Sequence, residues 1–129
     1  MATDDLRGLR ILIVEDESLI LLTIQDIVEE LGCKVVGTAI QAEKAIAIIC
    51  GRPVDVALLD VNLGEDRTSY PVADALAVRG IPFAFVTGYG SGGVRAGYQD
   101  RPVLSKPVDQ RSLEEMLRKL APAARLQEG

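Results

Sequence analysis

Apolar positions follow two rhythms along this chain. Short unbroken runs alternate with stretches in which apolar residues recur every three or four positions. Arg10-Ile11-Leu12-Ile13-Val14 is a β-rich run that stops at acids. From Leu19 to Leu31, the residues Ile20, Ile24, Ile27, Val28 and Leu31 repeat at helical spacing, and Gly32 supplies a stop. Lys34-Val35-Val36-Gly37 reads as a second strand. Ala42, Ala45, Ile46 and Ile49 share one helical face, ended by Gly51 and Pro53. Val54 to Leu59 is a third strand running into Asp60. Ser69 is placed to cap a helix with Pro71 in its first turn and Gly80 beyond its end. Ile81 to Val86 is a fourth strand ending at Thr87, and Pro102 to Ser105 a fifth ending at Lys106-Pro107. Asp109 then caps a last helix with Leu113, Met116, Leu117 and Leu120 inward. Glu114 with Arg118, and Glu115 with Lys119, are spaced to pair on its wet face. The chain after Pro122 is expected to fray.

Repeated strand-helix alternation implies a parallel sheet with helices on both faces. Nearly continuous apolar strands agree, because such strands are buried on both sides. The expected fold is α/β, a flavodoxin-like (βα)5 doubly wound domain with five parallel strands in the order 2-1-3-4-5. One domain is expected over 1–129, with its core at about 8–121. A fourth helix belongs between Thr87 and Asp100 by topology, yet Gly88, Gly90, Gly92, Gly93 and Gly97 crowd that segment. Each interior glycine costs a helix about 0.8–1.0 kcal/mol relative to alanine. The segment is therefore expected to be marginally helical and to change state, with Tyr89 or Tyr98 altering its packing.

Composition narrows the function classes. The 129 residues are 48% hydrophobic and 26% charged, with a formal charge of −5. That balance, with no clustered Lys and Arg, argues against a nucleic-acid partner. Cys33 and Cys50 form no CxxC and the chain has no His, so neither a zinc site nor a disulfide framework is expected. Both cysteines read as small buried or half-buried hydrophobes. The start is polar and acidic, unlike a signal peptide, and no apolar run is long enough to span a bilayer, so a cytoplasmic location is expected.

In an open parallel sheet, ligands gather at the carboxyl ends of the strands. Strand one ends at Glu15-Asp16, strand three at Asp60, strand four at Thr87 and strand five at Lys106. Clustered carboxylates repel one another unless a positive charge sits among them, and oxygen donors suit Mg²⁺ (or Mn²⁺). A lysine and a hydroxyl beside such a metal suit a phosphoryl group, and a carboxylate is a known nucleophile for one. Taken singly, Asp16 reads as a helix cap, Thr87 as a turn residue and Lys106-Pro107 as a loop start. Their order at four strand ends is what carries the reading. An FMN-binding flavodoxin is disfavoured, because Glu15 and Asp16 would repel the phosphate of the cofactor.

Val14-Glu15-Asp16-Glu17, Leu58-Leu59-Asp60-Val61-Asn62-Leu63, Val86-Thr87-Gly88 and Leu104-Ser105-Lys106-Pro107 resemble the receiver domains of two-component response regulators. The resemblance covers about residues 8 to 121. It implies that Asp60 is the phosphoacceptor and that Glu15, Asp16, Asp60 and the backbone carbonyl of Asn62 hold Mg²⁺. It also implies that Thr87 is the switch hydroxyl, that Lys106 binds the phosphoryl group and that the bond to Pro107 is cis. Pro82-Phe83-Ala84-Phe85-Val86-Thr87-Gly88-Tyr89 is similar to the signature of the FATGUY receivers, with Val86 for the usual Ala. That subgroup lacks the aromatic switch residue of the fifth strand, and Val103 stands there in this chain. Gly88, Tyr89, Val103 and Pro107 join Thr87 as implied switch positions. The implied partners are a sensor histidine kinase, of the HWE type, or a histidine phosphotransfer protein, docking at the first helix. The chain itself is expected to be a monomer or weak homodimer with no nucleic-acid or membrane partner. Output is expected through protein contact, phosphorelay or a phosphate sink, since no effector segment follows Leu120. The alternative is an adaptor pseudo-receiver that is never phosphorylated.

Overall fold

The computed structural model describes residues 6–64, 67–88, 97, 98 and 100–128, with side chains through 122. The segment expected to form a fourth helix, including Tyr89, lies outside the described residues apart from Gly88, Gly97, Tyr98 and Asp100.

The elements are β1 (Arg10–Val14), α1 (Ser18–Glu30), β2 (Lys34–Ala39), α2 (Ala42–Gly51), β3 (Val56–Asp60), α3 (Tyr70–Val78), β4 (Phe83–Thr87), β5 (Val103–Ser105) and α4 (Gln110–Glu128). The five strands form one parallel sheet in the order β2-β1-β3-β4-β5. This is the flavodoxin-like topology that the alternation of elements implied.

Strand side chains alternate between the two faces of a sheet. Leu12, Val14, Ala57, Leu59, Phe83 and Phe85 therefore meet α2 and α3 on one face, through Ala45, Ile48, Ile49, Val72, Ala73 and Leu76. Ile11, Ile13, Val56, Leu58, Ala84, Val86 and Leu104 meet α1 and α4 on the other, through Ile24, Val28, Leu113 and Leu117. Full burial of one such side chain contributes about 1.5–3 kcal/mol. Both faces are covered, which is why these strands carry no polar alternation. Leu6 is also fully buried, so the second core begins before residue 8.

Local chemistry explains the helix ends. Past α1, Gly32 takes φ +94°, its N–H donates to Glu29 O, and Cys33 N–H donates to Val28 O. That pair of bonds satisfies the last carbonyls of the helix. Gly80 closes α3 in the same way, with bonds to Ala77 O and from Ile81 to Leu76 O. Arg52, held extended before Pro53, ends α2, so Gly51 is the last helical residue and not the stop.

Four expectations need correction. Ser69 precedes α3 but makes no side-chain cap, and its buried Oγ has no hydrogen-bond partner. Helix α4 runs through Pro122 to Glu128, where fraying was expected. Pro122 has no amide to donate to the Arg118 carbonyl four residues back, and both residues lie on the exposed side of the helix, where water can reach that carbonyl. Glu114 pairs with Arg118 at 2.9 Å as expected, but Glu115 is engaged by Arg111 at 3.4 Å. Cys33 is buried, whereas Cys50 is exposed, with Arg79 Nη2 3.3 Å from its sulfur. Among the described residues, no helix is long and apolar enough to cross a membrane.

Candidate functional site

Parallel pairing places every strand's carboxyl end on one edge. Asp60 is in register with Val86, Thr87 with Ser105, and Val14 with Leu59. Residues one step beyond these pairs, Glu15 and Lys106, therefore reach the same edge. The main chain seals the junctions, since Glu15 N–H donates to Ala39 O and Lys106 N–H donates to Thr87 O, both at 3.0 Å.

The side chains converge as the strand ends dictate. Lys106 Nζ lies 3.0 Å from Asp60 Oδ2, 3.3 Å from Glu15 Oε1 and 3.4 Å from Glu17 Oε1. Glu15, Asp16, Glu17 and Asp60 each bring one carboxylate oxygen to within 4.8 Å of the others. Glu15, Asp60 and Thr87 are buried, whereas Glu17 is 62% exposed. The Asn62 amide donates to Asp60 Oδ1 at 3.3 Å and orients it. Gly64, at φ +84°, brings the loop after β3 so close that a Cβ there would stand 3.3 Å from Asp16 Oδ2. The Lys106–Pro107 peptide bond is cis.

Electrostatics follow from this crowding. Burial, and then the hydrogen bond and charge of Asp60, push the Glu15 carboxyl from its ordinary 4.5 to about 8. Burial opposes the charge on Lys106, but its hydrogen bonds and ion pairs with Asp60 and Glu15 prevail and raise it above its ordinary 10.5. Glu15 Oε1 is buried and, although near Lys106, accepts no hydrogen bond. One ammonium thus contacts three of the four clustered carboxylates, and this donor set, all oxygen with an orphaned buried atom, has room in its charge balance for a hard divalent cation.

The structure thus brings Glu15, Asp16, Asp60, Asn62, Thr87, Gly88, Lys106 and Pro107 to one edge. Val103 sits on β5 opposite Phe85, half-buried against the α2–α3 core. Two features go beyond the sequence reading, which named Tyr98 only as a residue that alters its packing. Glu17 joins the acidic cluster, and three consecutive acids after a strand were the available signal. Tyr98 packs into an aromatic group, stacked on Tyr70 with ring centroids 6.1 Å apart and an interplanar angle of 5°. It also meets Phe83 and Phe85 edge-on, and its hydroxyl bonds Asp74 on α3.

A doubly wound 2-1-3-4-5 sheet with acids and a lysine at its carboxyl edge is the arrangement of CheY-like domains. A receiver domain protein so described, from Methanospirillum hungatei JF-1, superposes with a TM-score of 0.78 at 29% identity, over 94% of this chain and 98% of that one. The chain belongs to the response regulator receiver domain family, which it matches over residues 11–118. The solution structure of SdrG from Sphingomonas melonis Fr1 is 40% identical, with a TM-score of 0.76 over 95% of this chain and 99% of that one. The BeF3-activated conformation of SdrG from Pseudomonas melonis Fr1 is 42% identical, with a TM-score of 0.78 over 89% and 98%. No curated protein matches the chain.

Proposed function

We propose that this receiver is a switch phosphorylated on Asp60. The observation that carries the reading is the buried Asp60 carboxylate, held 3.0 Å from the Lys106 ammonium inside a cluster of three further acids. In the transfer, an Asp60 carboxylate oxygen bonds to the phosphorus as the bond from phosphorus to the donor's leaving group breaks. Lys106 then exchanges its contact with Asp60 for one with a phosphoryl oxygen, and Thr87 supplies a hydroxyl donor to another. Receiver domains bind Mg²⁺ at an acidic pocket, and the acids here fit that role. Glu15, Asp16 and Asp60, with the Asn62 carbonyl, would hold Mg²⁺ or Mn²⁺. When bound, the cation neutralises charge on the transferring group.

Receiver domains exchange phosphoryl groups with histidine kinases or phosphotransfer proteins. Similarity to SdrG, which has a BeF3-activated conformation, supports the same chemistry for this chain. The FATGUY-like stretch and the absence of an aromatic at Val103 support a partner kinase of the HWE type. The net charge of −5 supports protein partners over nucleic acid, for a chain we read as a cytoplasmic monomer or weak homodimer. Exposed Leu19 and Leu22 on α1 suit kinase docking. Gly88 and Pro107 flank the two strand ends through which Thr87 and Lys106 would transmit the change.

Intact-mass measurement after acetyl phosphate and Mg²⁺ is the test. One added phosphoryl group on the wild type and none on Asp60→Asn is the expected result. Equal labelling of both overturns the assignment, and no labelling of either returns the chain to the adaptor reading.

A further inference from the structure

Glu17 is the most exposed carboxylate of the cluster, its side chain 62% exposed against 1% for Glu15 and 6% for Asp60, with Asp16 half-buried. It stands on the outer side of Lys106, 3.4 Å from the ammonium that also holds Asp60. Its backbone N–H donates to Glu15 Oε2 at 3.2 Å, which fixes this turn over the site. Glu17 occupies the N-cap position of α1, yet its side chain makes no capping bond. Its geometry is therefore committed to the mouth of the site and not to helix stability.

We propose that Glu17 is a specificity residue, an electrostatic gate against small, highly charged phosphodonors. The inference rests on reading Asp60 as the phosphoacceptor. An anionic donor must bring its phosphoryl group past the Glu17 carboxylate to reach Asp60. Like charges repel it there, and the Lys106 ammonium, shared by Asp60, Glu15 and Glu17, is less available to the incoming oxygens. Both effects slow transfer from a free dianion such as acetyl phosphate. In that transfer the Asp60 oxygen bonds to phosphorus while the bond from phosphorus to the acetyl oxygen breaks and acetate leaves. A donor presented on a protein surface meets a different balance, since it brings neighbouring cations that match the rim acid.

The test compares initial rates of Asp60 labelling by acetyl phosphate and by phosphoramidate, which carries less negative charge near neutral pH. Intact mass is the readout, with Mg²⁺ saturating for each variant. At low ionic strength, Glu17→Gln should label with acetyl phosphate about three- to tenfold faster than wild type, the size of one exposed unit charge acting on a dianion at a few ångströms. The gain should be smaller with phosphoramidate and should shrink as KCl is added. Glu17→Asp, which keeps the charge, should behave like wild type. A purely structural role would move both donors alike and show no such salt dependence. Equal rates for wild type and Glu17→Gln at low salt, or an acceleration that ignores donor charge, overturn the gate while Asp60 still labels. Labelling that survives in Asp60→Asn, or that is absent in wild type, overturns the phosphoacceptor reading instead.

Discussion

Glu15 shows how one side chain carries both the cost and the use of this site. Its carboxyl is buried beside Asp60, and burial raises it to about 8. A group whose folded-state pKa lies above its unfolded value stabilises the fold fully below the unfolded value. That contribution is lost as pH rises through the folded value. With a chelator present, the wild type should therefore lose stability between about pH 4.5 and about pH 8 through this group. Glu15→Gln, which cannot ionise, should flatten that part of the profile. Urea midpoints of the two proteins across the window would decide it, and parallel profiles would refute it. Asp60, Thr87 and Lys106 were legible in the sequence because each is the last or next residue of an apolar strand. The place of Glu17 was not, since only the fold shows which of three consecutive acids turns back over Lys106.

At the scale of elements, close approach of α2 to β2 depends on Gly37. A Cβ at that position would stand 2.8 Å from Ile48 Cδ1 and 3.0 Å from Ile48 Cγ2. The sheet accommodates this spot with a register shift, since Ile11 pairs with Val35 but Leu12 with Gly37. Gly37→Ala should destabilise by about 1–3 kcal/mol through overpacking. Ile48→Val removes the nearest methyl and should recover part of the loss in the double variant. Urea unfolding of the four proteins forms the cycle, and strictly additive effects would exclude the contact as the cause. Strands and helices were readable here because their apolar rhythms differ, two-sided runs against three-to-four spacing. Ser69 and Pro122 were misread because each depends on its surroundings. Ser69 holds the N-cap position of α3 through its carbonyl, but its buried hydroxyl makes no capping bond, and Pro122 is tolerated within α4.

The whole molecule has two chemically different edges. Phosphoryl chemistry is assigned to the carboxyl ends of the strands, whereas the opposite end is fastened by Arg10 and Asp55. Arg10 Nη2 and Nε reach the two Asp55 oxygens at 2.7 and 2.9 Å, and the Arg10 amide donates to Asp55 Oδ2 at 2.8 Å. Asp55 is buried, while the Arg10 side chain stays 32% exposed and can rehydrate. Asp55→Ala should therefore cost about 2–3 kcal/mol, at or just below the bottom of the range for a broken buried pair. Asp60 labelling of the folded variant should match wild type, because β1 separates this clamp from the acids. Combined denaturation and labelling would expose any coupling between the edges. The pairing was invisible in the sequence, where the two partners stand 45 positions apart and each looks like an ordinary strand-flanking charge.

The stacking of Tyr98 on Tyr70 also has an optical consequence. The chain has no tryptophan and only three tyrosines, so absorption and emission near the phenol band come from very few rings. Two of them lie almost parallel over β4, and the Tyr98 hydroxyl meets a carboxylate, a partner that quenches phenol emission. Near-ultraviolet circular dichroism and tyrosine fluorescence thus monitor the docking of the chain just before β5 without any attached dye. Loss of that chiral signal with a rise in emission would mark Tyr98 leaving α3.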